Sequence, residues 1–237
     1  MMTSTIIANI RAELKKQADK KTRESAQRFF KEEIKFYGVK SALVKKITRA
    51  YFKQIKTLDK KEIFYLCEEL FTSDYSEEAF IAAEWAFRLE KKYVPEDFQL
   101  FAKWVKKYIN NWAKCDTFCN HAVGALVEKY PALLPELKVW ARSDNRWVKR
   151  AAAVTLILPA RRGKFLKEAL EIADILLLDQ DDLVQKGYGW LLKEASRQHQ
   201  QEVFAYLMKH KKIIPRTAFR YALEKMSPPL KNLAMAK

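Results

Sequence analysis

The sequence predicts an all-α fold built from antiparallel helix pairs, and three observations point to it. Apolar residues recur at spacings of three and four along nearly the whole chain, the repeat of one buried helix face. Only five glycines and seven prolines occur in 237 residues, too little punctuation for the many tight turns of an all-β chain. No segment carries a strand signal, and the stretches between helical segments are short. With 49% apolar residues the chain has the material for a substantial core and does not read as disordered.

The elements follow in order. Val44, Ile47, Tyr51 and Ile55 mark one face of a helix whose opposite side carries Lys45, Arg49, Lys53 and Lys56. That basic stripe fits a phosphate backbone and fits a solvated face equally well. Lys60 to Phe71 comes next, with Asp59 at the N-cap, then Ser76 to Lys92, with Ser76 as cap, then Glu96 to Asn110 behind Pro95. Further helices begin near Asp116, Pro131, Asn145, Gly163, Asp181, Gln200 and Arg216. Asp181 is a third candidate cap, and Pro131 and Pro215 stand where a helix starts. About a dozen short helices with short connections suggest a HEAT-like or ARM-like solenoid with a unit of roughly 40 residues. No linker rich in Gly, Ser or Pro divides residues 1–237, so one domain is expected.

Charge bounds the partner. The formal net charge is +16 and the isoelectric point about 9.6, which concentrates polyanions by counterion release and makes nucleic acid the leading partner. The charge is banded: residues 11–61 carry 17 Lys/Arg against 6 Asp/Glu, whereas 62–100 carry 3 against 10. Residues 101–167 return to 14 against 4, 168–189 fall to 1 against 6, and 190–237 rise to 10 against 3. The longest apolar stretches fall well short of the roughly 20 residues that cross a bilayer, so no membrane span is expected. Three cysteines are too few for a disulfide framework and no secretory signal precedes the first charged residues, which points to the reducing cytoplasm.

Three stretches join aromatics to charge: Asn111 to Asp116, Asn145 to Ala152, and Gln185 to Trp190. On the residues alone each has a structural explanation. Asp116 follows a helix break and fits an N-cap; Trp112 and Trp190 fit core aromatics; Arg150 fits an exposed flank or a structural ion pair. Gly187 and Gly189 each cost a helix about 1 kcal/mol relative to alanine and so imply close approach to a neighbour or ligand. Cys115 and Cys119 lie one turn apart with His121 nearby, but a structural zinc site needs four ligands and Cys67 sits on an apolar face, so no metal is expected. Neither a phosphate-cradling Gly-rich loop nor a serine nucleophile elbow is present, which argues against nucleotide hydrolysis and acyl transfer.

The strings FFKEEIKFYGVK (29–40), NNWAKCDTFCNH (110–121), DNRWVKRAAAV (144–154) and VQKGYGWLLKEASR (184–197) resemble, in order, the signature segments of the AlkD-like DNA alkylation repair family. The similarity spans roughly residues 25–200. It implies a right-handed α-superhelix of helix pairs with a concave basic face that clasps double-stranded DNA. It also implies an active site of two tryptophans, an aspartate and an arginine, which fall on Trp112, Trp190, Asp116 and Arg150. Two departures, Ser41-Ala42 after the Gly-Val-Lys turn and Gly187-Tyr188 for a more usual Ala-Ile pair, bear on DNA grip and lesion range. The implied activity is that of an alkylpurine DNA glycosylase needing no cofactor. In it, the carboxylate of Asp116 stabilises an oxocarbenium-like sugar, the two indoles attract the cation, and Arg150 holds a phosphate and fixes the carboxylate. Arg146, Lys149 and Lys186, with Lys45, Arg49 and Lys53, are the candidate DNA contacts. A monomer with no obligate protein partner is expected. Two other readings remain: a catalytically inert binder of distorted or branched DNA, and a protein-binding scaffold.

Overall fold

A computed structural model describes residues 2–236. Sixteen α-helices follow one another with no strand among the described residues, as the periodicity requires. The chain divides between Val94 and Pro95 into two units.

The first unit contains α1 (Met2–Lys16), α2 (Lys20–Gln27), α3 (Ser41–Ile55), α4 (Lys60–Thr72) and α5 (Ser76–Arg88). The core face of α3 is as expected at Val44, Ile47 and Ile55, with Thr48 buried beside them and Tyr51 only half-buried. Asp59 caps α4 in a full capping box: its carboxylate accepts the Glu62 N–H while Glu62 accepts the Asp59 N–H. Ser76 does not cap α5; Tyr75 holds that position and Ser76 is the first helical residue. The expected helix to Lys92 ends at Arg88, and a 3-10 turn over Glu90–Lys92 closes the unit.

Two buried glutamates of α5 organise the non-helical segment before α3. Glu77 accepts the backbone N–H groups of Tyr37, Gly38 and Val39 at 3.2, 2.9 and 3.1 Å. Glu78 accepts the Tyr37 hydroxyl at 2.7 Å and pairs with Arg11 at 3.0 Å. Gly38 sits at φ +91°, and a Cβ there would stand 2.4 Å from the Asp19 carbonyl oxygen, so the Gly-Val-Lys turn admits only glycine.

The second unit contains α6 (Asp97–Tyr108), α7 (Trp112–Phe118), α8 (Gly124–Lys129), α9 (Leu134–Ala141), α10 (Arg146–Thr155), α11 (Ile157–Arg161), α12 (Leu166–Leu176), α13 (Asp182–Ala195), α14 (Gln200–His210), α15 (Arg216–Leu223) and α16 (Pro228–Met235). A single π turn over Cys119–Val123 joins α7 to α8 without a break. Phe101, Trp104 and Phe118 form a buried aromatic cluster beneath it, the Phe101 and Phe118 rings meeting edge to face at 5.2 Å. Gly163 ends α11 at φ +83° rather than starting a helix, and α12 begins at Leu166. Pro131 starts a 3-10 turn that leads into α9. Asn145 and Asp181 cap α10 and α13, each accepting two backbone N–H groups.

α10 lies at the centre of this unit, packed against α7, α9 and α13. Its run Ala151, Ala152, Ala153 is fully buried, and small side chains let neighbouring backbones come close. α13 is held between α10 and α15.

Candidate active site

All four residues singled out for chemistry belong to the second unit. Asn111, buried to 1% exposure, caps α7 by accepting the Lys114 N–H at 2.9 Å. The cap is therefore five residues upstream of the expected one, and Asp116 lies inside the helix. The N-cap reading of Asp116 is wrong because Asn111, already extended at φ −151°, satisfies the first turn. One turn into α7, Asp116 faces α10.

On α10, Arg150 is 5% exposed and its planar guanidinium meets Asp116 in parallel: Nε donates to Oδ1 and Nη2 to Oδ2, both at 2.9 Å. Nη1 donates to the backbone carbonyl of Leu183 in the first turn of α13. Three helices thus fix one arginine, the geometry in which two-pronged carboxylate recognition is strongest. The reading of Arg150 as an exposed flank is excluded by its burial. The Asp116 side chain keeps 18% exposure, so part of the carboxylate still faces outward. Burial pushes its carboxyl above the usual carboxylate range, and the Arg150 guanidinium pulls it back only in part. Burial pulls the Arg150 guanidinium down, but Asp116 more than offsets this and Arg150 stays charged.

The glycines of α13 now separate. A Cβ on Gly187 would stand 3.3 Å from the Arg150 Cγ, so Gly187 leaves room for the arginine stem. A Cβ on Gly189 would stand 2.8 Å from the Tyr221 Cβ and 2.9 Å from the Ala218 carbonyl oxygen, so Gly189 serves the packing of α13 on α15. Trp112 and Trp190 are half-buried, unlike Trp85 and Trp104, which are fully enclosed. The Lys193 ammonium sits 6.0 Å from the Trp190 ring and 5.8 Å from that of Tyr221, and meets Glu224 at 3.2 Å.

The expected DNA contacts divide by unit. Arg146, Lys149 and Lys186 lie on α10 and α13, each paired with a carboxylate at the start of α13: Arg146 with Asp181 at 2.8 Å, Lys149 with Asp179, and Lys186 with Asp182 at 2.9 Å. Lys45, Arg49 and Lys53 belong to the first unit. With Lys46, Ala42 and Ala50 they line an open recess on the exposed side of α3. Cys115 and Cys119 are buried, burial pushing the Cys119 thiol well up. No group of three or more His, Cys, Asp or Glu with metal-binding geometry occurs among the described residues. No helix is long and apolar enough to cross a membrane among the described residues.

Sequence reasoning did not reach several residues of the site. Asn111 carried a readable signal, an Asn three residues before the helical N–H it accepts. The Leu183 carbonyl, the carboxylate of Asp179, and Tyr221 carried none, since each is brought to the site by packing between helices distant in sequence.

The chain matches the protein family described as DNA alkylation repair enzyme over residues 10–226. Among solved structures it shares the fold of a protein described as a predicted DNA alkylation repair enzyme from Enterococcus faecalis, with a TM-score of 0.80, 16% identity, and coverage of 90% of this chain and 98% of that one. A second is smu.31 from Streptococcus mutans UA159, with a TM-score of 0.59, 21% identity, and coverage of 78% and 98%. At these identities the likeness is one of fold. No curated protein matches the chain.

Proposed function

Because the chain belongs to the family of DNA alkylation repair enzymes, we propose that it is a DNA glycosylase. Its reaction is hydrolysis of the N-glycosidic bond of cationic alkylpurines, of the 3-methyladenine and 7-methylguanine type, in duplex DNA. The observation that carries this reading is the Asp116–Arg150 pair. It is a carboxylate locked by two 2.9 Å bonds to a buried arginine yet still 18% exposed; half-buried Trp112 and Trp190 lie on α7 and α13, the helices that supply Asp116 and the Leu183 carbonyl.

Alkylation at purine N3 or N7 puts a positive charge on the base. The bond electrons then leave with the base, which departs neutral, and little acid catalysis is needed. The charge develops on the sugar, where a preorganised carboxylate stabilises it. Water adds its oxygen to C1′ and gives up a proton, and Asp116 is the group that positions it. The faces of Trp112 and Trp190 attract a cationic base or sugar, by about 0.5–2 kcal/mol each. Arg150 keeps the carboxylate in place and ionised. Arg146, Lys149 and Lys186, and on α3 Lys45, Arg49 and Lys53, hold phosphates, which position the duplex without reading its sequence.

The test is release of 7-methylguanine and 3-methyladenine from duplex DNA in single turnover. Asp116→Asn is expected to lower release by a factor of about 10² or more, the scale on which a transition-state electrostatic partner counts. Affinity for undamaged duplex stays equal or rises, since a charge that repels phosphate is gone. Release no faster than the spontaneous reaction for the parent protein sinks the glycosylase reading.

A further inference from the structure

The cations beside the Asp116–Arg150 pair are already spent. Arg146 reaches Asp181 through Nε at 2.8 Å and Nη2 at 3.3 Å, Lys149 reaches Asp179, and Lys186 reaches Asp182 at 2.9 Å. With Asp116 on Arg150, four cations face four carboxylates, so this patch of a chain of net charge +16 is formally neutral. On α3, by contrast, Lys45, Lys46, Arg49 and Lys53 have no ion pair among the described residues.

The two members of the Lys149–Asp179 pair differ in freedom. Asp179 is built into the turn that enters α13: its Oδ1 accepts the Asp181 N–H at 2.9 Å and its backbone carbonyl accepts Gln185 Nε2 at 2.8 Å. Its side chain is 12% exposed and that of Lys149 21%. The carboxylate cannot leave without undoing the turn. The lysine, on a flexible four-carbon stem, can.

We propose that Asp179 is an internal stand-in for a DNA phosphate, holding Lys149 beside the site until a phosphate of bound duplex draws the lysine away. This rests on the DNA-binding part of the reading above. Carboxylate and phosphate oxygens accept the same charge-assisted bonds from an ammonium, so one lysine serves either. A duplex gains the lysine only by breaking the Lys149–Asp179 pair, and this competition weakens its hold at this site. Asp179 thus tunes affinity for duplex through Lys149, and is a positioning residue rather than a catalytic one.

The experiment is a double-mutant cycle read as Kd for a short undamaged duplex over a salt series. Asp179→Asn keeps an oxygen for the Asp181 N–H and removes the charge. It is expected to tighten binding about fivefold near 0.1 M salt, the upper end of what a partly exposed pair contributes. In the Lys149→Gln background the same substitution is expected to gain nothing. Equal tightening in both backgrounds would overturn the proposal, since it reports only the removal of a negative charge. No tightening in either overturns it too, as does a parent protein and variants that all fail to bind duplex. If thermal unfolding shows Asp179→Asn misfolded, Asp179→Ser, which also offers an oxygen to the turn, carries the same comparison. A parent that binds duplex but releases no alkylated base defeats the glycosylase reading and leaves the cycle on Asp179 decisive.

Discussion

A carboxylate that stabilises a sugar cation must be ionised when the bond breaks, and at Asp116 two effects contend for that charge. Burial raises its carboxyl and Arg150 opposes the rise, with burial ahead. A raised value means that the ionised form is lost earlier on acidification than for a free aspartate, whose value is 3.8. Enzyme-catalysed base release, corrected for acid-driven spontaneous loss, is therefore expected to fall as pH drops through a midpoint above 3.8. Asp116→Asn should flatten that limb of the profile, and a midpoint at or below the free-aspartate value would show that burial does not govern the group. The same substitution tests the pair as structure. It leaves the 5%-exposed Arg150 with one weakened partner, and removing a partner from a buried pair costs up to about 3–5 kcal/mol. Because asparagine keeps one acceptor oxygen, a smaller loss of about 1–3 kcal/mol is expected in denaturant unfolding. Excision lost far beyond what that stability change accounts for assigns Asp116 to chemistry.

At the scale of single helices, α13 carries two glycines two residues apart with unequal consequences. Alanine in place of glycine gains about 1 kcal/mol of helix propensity. At Gly187 the new Cβ meets the Arg150 Cγ at 3.3 Å, a stem whose head is held by three bonds, so the gain in helix propensity is offset and Gly187→Ala is expected to change stability by less than about 1 kcal/mol. At Gly189 it meets the Tyr221 Cβ and the Ala218 backbone at 2.8 to 3.0 Å, and forcing the two helices apart costs about 1–3 kcal/mol. Gly189→Ala should lower Tm by a few degrees, about 2–4 °C for each kcal/mol in a chain of this size. Equal thermal shifts for the two variants would contradict this assignment. The sequence did reveal that both glycines mark close approach, but not to what, because the neighbours come from α10 and α15. The same division runs through the other elements. Asp59, Asn145 and Asp181 are legible as helix starts since a cap acts within three residues. Ser76 and Asp116 mislead as caps because Tyr75 and Asn111 take those places. The π turn at Cys119–Val123 has no local signature. It accompanies the contact of Gly124 with the Thr155 carbonyl, where a Cβ would stand at 2.9 Å. Trp112, Asp116, Arg150 and Trp190 are readable by likeness of their flanking strings, whereas the carboxylates that neutralise Arg146, Lys149 and Lys186 lie 30 and more residues away or look like ordinary helix-start acids.

For the molecule as a whole, a net charge of +16 says how strongly DNA is drawn in but not which cations do it. The ion pairs sort them. Cations on α10 and α13 must exchange a carboxylate for a phosphate, whereas Lys45, Arg49 and Lys53 on α3 stand exposed beside an open recess with no ion pair among the described residues. Unpaired cations that contact phosphate release counterions in full, so log K should fall with log salt by about 0.9 for each contact. Replacing Lys45, Arg49 and Lys53 together by glutamine is therefore expected to lower that slope by about 2–3. The loss of affinity should be alike for damaged and undamaged duplex, because phosphate contacts carry no sequence or lesion information. Folding should be nearly unaffected, exposed substitutions of this kind lying within about 0.5 kcal/mol. Fluorescence anisotropy across a salt series measures the slope directly. An unchanged slope would mean that the α3 stripe is a solvated face after all, and would move DNA attraction onto cations elsewhere in the chain.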